Sequence, residues 1–157
     1  MPQVEFVAIT DARYNAEILA MMEGLYAEDV PSSPVDQSRF PVTIGHFLAN
    51  PARGRIVVFK EHDLVRGYAL LVPYWSNEFG GTLLFVDELF VVPGARNRGI
   101  ARSFFQFIEK ERLFDAIALW LEVNPSNTGA RRLYESLGFT PRKHSVLTYT
   151  FRASNQT

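Results

Sequence analysis

The spacing of apolar residues predicts a strand and two helices in the N-terminal third of the chain. Val4 to Ile9 predict the strand, and Asp11 is a suitable cap for the helix that follows it. The apolar face of that helix carries Ile18, Met22 and Leu25. After a loop at Pro31 to Pro34, a second helix is expected from about Ser38 to Ala49. This helix–loop–helix can roof a substrate pocket or serve only as a connection, and the sequence leaves both interpretations open.

Short apolar runs separated by turns predict strands in the middle of the chain. Arg55 to Lys60 and Gly67 to Trp75 are two such runs, with turns at Glu61 to Asp63 and Asn77 to Gly81. The run from Thr82 to Val92 is longer and apolar on both faces, which is typical of a central strand.

Helical and strand patterns alternate in the C-terminal half. We expect a helix from about Arg98 to Leu113, and a buried strand from Ile117 to Val123 that pairs in parallel with Thr82–Val92. A further helix ends at Gly138, and Ser145 to Phe151 alternates as an edge or half-buried strand does. The chain closes with a polar tail. These elements predict one α/β domain spanning all 157 residues.

Composition narrows the function classes. A hydrophobic content of 47% fits a globular protein, and a net charge of -1 argues against a dedicated nucleic-acid binder. The absence of cysteine excludes disulfides, thiolate metal sites and a cysteine nucleophile. The three histidines lack metal-ligand spacing, so we expect no metal. The first residues do not resemble a signal peptide, and no apolar run is long enough for a bilayer, so we expect a cytoplasmic protein without a membrane partner.

The stretch from Asp87 to Ser103 predicts an anion site. An apolar strand ends at Pro93, a loop rich in arginine and small residues follows, and a helix then begins. Free N–H groups at a helix start, the helix dipole and nearby guanidinium groups all favour phosphate oxygens. The pattern is neither GxxxxGKS/T nor GxGxxG, which argues against a P-loop and against a dinucleotide-binding turn. The alternative is a plain strand–helix connection with solvated arginines.

The pattern Arg96-x-x-Gly99-x-Ala101 resembles the acetyl-coenzyme A loop of the GNAT superfamily of N-acetyltransferases. A second run, Leu121 to Phe139, resembles the same family in its apolar strand, its asparagine, its Leu-Tyr pair and its Gly-Phe pair. The resemblance implies a mixed, mostly antiparallel sheet with helices on both faces. It also implies that the parallel strands Thr82–Val92 and Ile117–Val123 splay apart to admit the coenzyme.

The resemblance further implies which residues bind acetyl-CoA. They belong to the first splayed strand, the loop with its helix start, and the second run: Leu89, Phe90, Val91, Arg96, Asn97, Arg98, Gly99, Ile100, Ala101, Arg102, Asn127 and Tyr134. Tyr134 is expected near the sulfur, where its hydroxyl can protonate the departing thiolate. Without the resemblance, Asn127 is a helix cap and Tyr134 an ordinary half-buried aromatic residue.

Three carboxylates compete as the base that deprotonates an amine, and we rank Glu88 first, Glu122 second and Asp87 third. Successive residues of a regular strand point to opposite faces, so only one of Asp87 and Glu88 faces the amine unless a bulge re-aims them. Each can instead be an exposed or ion-paired acid. Glu28 and Asp29 either attract a cationic substrate or are solvated acids at a helix end.

The stretch Gly67–Ala101 resembles the diamine and thialysine acetyltransferase subgroup, although the order of Asp87 and Glu88 is swapped. The segment around Glu122 is nearer to the ribosomal-protein N-terminal acetyltransferases, in which the matching Glu is the base. These two resemblances point to different substrates. From the match over Gly67–Ala101, and from Asp87 and Glu88 on the strand that should line the pocket, we expect acetyl transfer to a primary amine of a small molecule. There are two alternatives: a protein or peptide acetyltransferase, and a non-catalytic domain that binds acetyl-CoA. The oligomeric state stays open, with a homodimer as one option.

Overall fold

Five strands lie side by side in chain order in the computed structural model, which describes residues 3–152. They are β1 (Val4–Ala8), β2 (Arg55–Glu61), β3 (Leu64–Ser76), β4 (Gly81–Val91) and β5 (Ala118–Trp120). The first four pair antiparallel, and β5 runs parallel to β4, as predicted from the crossover helix between them. The predicted polar tail lies outside the described residues.

Four helices cover the two faces of this sheet. They are α1 (Asn15–Glu28), α2 (Arg39–Ala49), α3 (Ile100–Glu111) and α4 (Thr128–Ser136). Asp11 is a cap, as expected, but of a short 3₁₀ turn before α1, where its side chain accepts the Arg13 N–H. Helix α3 begins at Ile100 rather than Arg98, because Gly99 has a left-handed backbone with φ of 78°.

Alternating side chains of the central strands divide the interior into two cores. Ile56 and Val58 of β2 face α1 and α2, whereas Val57 and Phe59 face α3. The α1–α2 core includes Ile18, Met22, Ile44, Tyr68, Leu70 and Phe90. The α3 core includes Leu71, Leu84, Val86, Phe104, Phe105 and Ile108. The helix–loop–helix is thus a packed roof over one face of the sheet.

The parallel strands β4 and β5 are paired over only a short stretch. Pairing between β4 and β5 runs only from Leu83↔Ala118 to Phe85↔Trp120. Strand β4 continues to Val91, and within residues 3–152 no strand pairs with the β5-facing edge of 86–91. The strand predicted over Ile117–Val123 is therefore shorter than expected, because the chain leaves the sheet after Trp120. Beyond this point β4 and the residues that follow β5 are no longer paired, and we call the space between them the gap.

The predicted strand over Ser145–Phe151 is wrong. These residues adopt no regular secondary structure, and Leu147, Tyr149 and Phe151 are exposed. A strand needs a neighbouring edge whose backbone groups it can satisfy. The alternation is present in the sequence, but the edge of β5 does not pair with this segment.

Candidate functional site

A β-bulge shapes the end of β4 that borders the gap. In the β3–β4 ladder, Leu70 pairs with Glu88 and Leu71 pairs with Val86, which leaves Asp87 as the extra residue. Val86 packs in the α3 core, whereas Glu88 bonds to Tyr68 of the α1–α2 core. The bulge thus removes the strict alternation that would have sent Asp87 and Glu88 to opposite faces.

Glu88 is a buried carboxylate beneath the helical roof. The residue is only 8% exposed, and its Oε1 accepts a hydrogen bond from the Tyr68 hydroxyl at 3.2 Å. Burial raises the pKa of Glu88 and the charge of Asp87 raises it further, while the hydroxyls of Tyr26 and Tyr68 act in the opposite direction. Burial, followed by the proximity of Glu88, also raises the pKa of both tyrosines, so they stay neutral donors.

Asp87 and Glu122 form a second group of carboxylates, at the open side of the gap. Asp87 reaches solvent, but the protein around it raises the pKa of its carboxyl, and the charge of Glu122 adds to that rise. Glu122 is exposed on the loop that follows β5. The three carboxylates singled out in the sequence therefore divide into one buried group and two that share the mouth of the gap.

The loop between β4 and α3 presents a row of backbone donors. Within the described part of the chain, the N–H groups of residues 97–102 have no hydrogen-bond acceptor. Asn97 and Gly99 both have left-handed backbones, with φ of 59° and 78°. Such turns direct successive N–H groups toward one concave side, which is how backbone anion sites are built. The anion site at this loop stays a prediction, and the unpaired N–H groups are what it would use.

The arginines of this loop and of the first turn of α3 already have protein partners. Arg96 bonds both carboxylate oxygens of Glu28, at 2.9 and 2.8 Å, and its Nε donates to the Val91 carbonyl at 2.8 Å. Arg98 forms an ion pair with Glu61, and Arg102 donates to the Ser136 hydroxyl. Glu28 is thus an ion-pair partner of the loop, and its charge is compensated. The arginines are thus engaged with other side chains, whereas the N–H groups of residues 97–102 have no acceptor within the described residues.

Tyr134 lies on α4 and packs against the α3 core. Its ring packs edge-on against Phe105 at 5.9 Å and beside Phe139 at 5.7 Å. Burial raises the pKa of its hydroxyl, and the charge of Asp29 adds to this effect, so the group is a neutral donor. Asn127 caps α4, as the sequence predicted, by accepting the Ala130 N–H at 3.1 Å.

A polar contact also joins the two sides of the gap. The Asn124 amide, on the loop after β5, donates to Asp29 Oδ1 at 3.3 Å, at the end of α1. Since Asp29 also lies close enough to affect Tyr134, the end of the roof, the β5 loop and α4 meet at one place. Asp29 thus belongs to the border of the gap.

Sequence reasoning missed Tyr26 and Tyr68. Tyr68 lies 20 residues from Glu88 along the chain, and Tyr26 lies on α1, where its ring stacks on Phe40 at 5.2 Å. A tyrosine in an apolar strand or helix gives no signal in the sequence that its hydroxyl meets a particular carboxylate. Their role depends on packing α1 against β3 and β4.

Two negative findings apply to residues 3–152. Within that range no group of three or more acidic or histidine side chains is arranged to hold a metal ion. None of the helices found there has the length and hydropathy needed to cross a membrane.

Comparison with known protein families gives a clear match. A family model described as "Acetyltransferase (GNAT) family" matches residues 16–139, which include both sides of the gap, the loop and α4. No curated protein sequence matches the chain.

Solved structures share the fold at low sequence identity. A possible acetyltransferase from Clostridium difficile 630 is 19% identical, with a TM-score of 0.79 over 95% of this chain and 98% of that one. A ribosomal-protein-alanine N-acetyltransferase from Brucella melitensis biovar Abortus 2308 is 17% identical, with a TM-score of 0.73 over 94% and 100%. The aminoglycoside N-acetyltransferase AAC(6')-Iy, in complex with a CoA-containing bisubstrate analogue, is 17% identical, with a TM-score of 0.69 over 96% and 99%.

Proposed function

We propose that this chain, which belongs to the GNAT family of acetyltransferases, transfers the acetyl group of acetyl-CoA to a primary amine of a small molecule. One observation carries the proposal. A loop of free backbone amides and a buried carboxylate lie at the same end of β4, beside the edge that β5 leaves unpaired. An anionic coenzyme held by the loop would have its thioester directed along that edge toward the carboxylate.

The coenzyme is assigned to the loop and the open edge. The N–H groups of residues 97–102 bind the pyrophosphate, with the positive end of α3 behind them. Leu89 to Val91 offer backbone groups to the pantetheine amides, which then add to the sheet like a further strand. Asn127 and Tyr134 complete the opposite wall. The CoA-containing complex of AAC(6')-Iy, a protein of similar fold, supports this choice of coenzyme.

The reaction requires the nitrogen of the alkylammonium to lose two protons and the sulfur of the coenzyme to gain one. An alkylammonium has a reference pKa of about 10.4, so it must be deprotonated before its nitrogen attacks the thioester carbon. The new N–C bond gives a tetrahedral intermediate, whose oxyanion takes a hydrogen bond from a free N–H of the β4 edge. Its collapse breaks the C–S bond, and the thiolate accepts a proton from the Tyr134 hydroxyl. The nitrogen gives up its second proton in the same collapse, and that proton restores the Tyr134 hydroxyl.

Glu88 is the proposed base. Its raised pKa makes its carboxylate a stronger proton acceptor than an exposed glutamate, and Tyr26 and Tyr68 fix the orientation of the group. Asp87 and Glu122, at the mouth of the gap, are suited to attracting the ammonium ion. Glu122 is the second choice for the base and Asp87 the third. A compact diamine is the acceptor we favour, since it can place its second ammonium between these two acids.

Release of CoA thiol, recorded with a thiol reagent, tests this function. The chain has no cysteine, so the enzyme itself contributes no thiol background. The assay uses acetyl-CoA with a panel of diamines, amino acids, aminoglycosides and peptides. Turnover of diamines or another small amine supports the proposal. Efficient acetylation of peptides with no turnover of small amines at millimolar concentration would contradict it, and coenzyme binding without any turnover would indicate a binding domain.

A further inference from the structure

Phe85 and Trp120 form an aromatic pair across the parallel strands β4 and β5. They are register partners, and their rings stack at 4.3 Å with an interplanar angle of 19°. Leu84 and Leu121, their neighbours along each strand, pack with the α3 core, so the two rings lie on the other side of the sheet, where α1 and α2 pack. Among the described residues, neither ring is part of the α1–α2 core. The helical roof therefore stops short of this aromatic pair.

Two carboxylates follow the aromatic pair along the chain. Asp87 comes two residues after Phe85, and Glu122 comes two residues after Trp120. Burial raises the pKa of Asp87 and the charge of Glu122 raises it further, which places the two carboxylates near one another. Over residues 3–152 neither of them forms an ion pair. Neighbouring like charges without a counter-ion repel each other, and a cation bound beside them relieves that repulsion.

The Trp120 ring has surface that a ligand can contact. Phe85 covers one face, Tyr74 meets the ring edge-on at 6.1 Å, and Trp120 lines a groove that Tyr74 and Glu122 also line. Its buried Nε1 has no acceptor within the described part of the chain. A phenylalanine would fill this position without leaving a buried donor unpaired, whereas an indole offers the strongest cation–π contact. Aromatic rings beside two unpaired acids fit an organic cation.

The distance from this aromatic pair to the proposed base sets the length of a ligand that reaches both. Phe85 pairs with Val72 of β3, and Glu88 pairs with Leu70, two residues away on the same strand. Phe85 and Glu88 are therefore about 7 Å apart along the sheet, and Trp120 is about 5 Å further across, on the next strand. Glu88 lies on the same side of the sheet, under the roof. A linear molecule of a few carbons spans this distance.

We propose that the acceptor is a linear molecule with a cationic group at each end, and that Trp120 binds the far group by a cation–π contact beside Asp87 and Glu122. The inference rests on the function proposed above, because Glu88 must take the proton of the amine at the near end. A ring face attracts a cation through its quadrupole and needs no N–H group. The far group is therefore a primary, a methylated or a quaternary ammonium. Phe85 is a positioning residue that holds the indole.

Tryptophan fluorescence tests this binding without any turnover. The chain has two tryptophans, so Trp75→Phe leaves Trp120 as the only indole. The probe is the hydroxybutyl-trimethylammonium ion, which has no amine to acetylate. Its control is the neutral isostere with carbon in place of the charged nitrogen. We expect a saturable change in Trp120 emission with the ion, and an affinity on the order of tenfold weaker for the isostere, which lacks the cation–π contact.

The converse variant is the matched control for the fluorescence experiment. Trp120→Phe keeps Trp75, which is 71% exposed near the end of β3, and its emission should not respond to the ion. Asp87→Asn combined with Glu122→Gln removes both negative charges and should weaken binding of the ion but not of the isostere. A response of equal size from Trp75, or equal affinity for the ion and the isostere, would overturn the proposal.

Acceptor preference gives the second test. The substrates are a diamine, an amine of equal length with a trimethylammonium far end, and the monoamine with an uncharged far end. Wild type should prefer both dications in kcat/KM, and Trp120→Leu should reduce that preference by roughly two- to thirtyfold, through KM. Trp120→Phe should retain part of the preference, and Trp75→Leu all of it.

The outcomes of this second test separate the inference from the function on which it rests. Equal kcat/KM for the three amines in wild type would overturn the inference and leave amine acetylation standing. Turnover of none of them, with efficient acetylation of peptides, would contradict the proposed function and the inference with it.

Discussion

Glu88 accepts a hydrogen bond from the Tyr68 hydroxyl at 3.2 Å in the interior of the α1–α2 core. The contact is made possible by the bulge at Asp87, which brings Glu88 opposite Leu70 and turns its side chain toward Tyr68 and Tyr26. A carboxylate with neutral donors on one side has a fixed orientation and a pKa set by its neighbours. Both properties are needed in a general base.

Removing the Tyr68 hydroxyl, which donates to Glu88, should shift the pH dependence of catalysis. The Tyr68 hydroxyl lowers the pKa of Glu88, so Tyr68→Phe should raise it and move the acidic limb of kcat/KM to higher pH. Below the midpoint we expect kcat/KM to fall about fivefold, the equivalent of one hydrogen bond of about 1 kcal/mol. Tyr14→Phe, at the start of α1, is the control and should leave the profile in place. An unshifted limb in a folded Tyr68→Phe protein would separate Tyr68 from the base.

Glu88 and Glu61 should make the free energy of unfolding change with pH in opposite directions. The folded pKa of Glu88 is raised, so its ionised form opposes folding, and Glu88→Gln should gain stability over wild type as the pH rises through that pKa. The pKa of Glu61 is held low, chiefly by its hydrogen bond with Arg98. Its contribution is present above the unfolded pKa and lost as the pH falls, so Glu61→Gln should lose stability at neutral pH. Thermal melts across about pH 4 to 8 would show the two trends, and parallel trends would contradict the assignment.

The anion loop can be tested with two glycines of similar backbone geometry. Gly99→Asp would put a carboxylate among the free amides of residues 97–102 and should weaken acetyl-CoA binding by well over tenfold, on the order of 2 kcal/mol. Gly80 also has a left-handed backbone, with φ of 68°, and at both glycines a Cβ would have no neighbouring atom within 4 Å. Gly80→Asp therefore controls for charge and backbone strain. Calorimetry showing equal affinity for the two folded variants would remove the loop from the coenzyme site.

Tyr134 should act through its hydroxyl alone. Tyr134→Phe keeps the ring that packs against Phe105 and Phe139, so Tm and acetyl-CoA affinity should stay near wild type. If the hydroxyl protonates the thiolate, kcat should fall by roughly ten- to a thousandfold. Steady-state kinetics at saturating substrates measures this, and a wild-type kcat would assign Tyr134 to packing.

Much of this arrangement could be predicted from sequence, because local signals specify it. Apolar periodicity placed the four α-helices, and the end of a long apolar strand placed the loop between β4 and α3. The two runs at Arg96–Ala101 and Leu121–Phe139 pointed to the family that the comparison confirms. Such features depend on residues close together in the chain.

Features that depend on distant partners could not be predicted. The bulge at Asp87 is a one-residue shift in the β3–β4 register, and no turn or spacing in β4 announces it. The pairing of Arg96 with Glu28 joins residues 68 apart. The alternation of Ser145–Phe151 predicted a strand, but a strand also needs an edge that pairs with it, and no local signal in the sequence reports such an edge.

The central claim is that Glu88 takes the proton from the acceptor amine, and kcat measured against pH tests it most directly. The comparison is between wild type, Glu88→Gln and Asp87→Asn, with both substrates saturating. Glu88→Gln keeps an oxygen that can accept from Tyr68, so the fold should be preserved. We expect its kcat to fall by about a hundredfold or more and the acidic limb to vanish, whereas Asp87→Asn should chiefly raise KM. A wild-type kcat and an intact acidic limb in Glu88→Gln would contradict the claim.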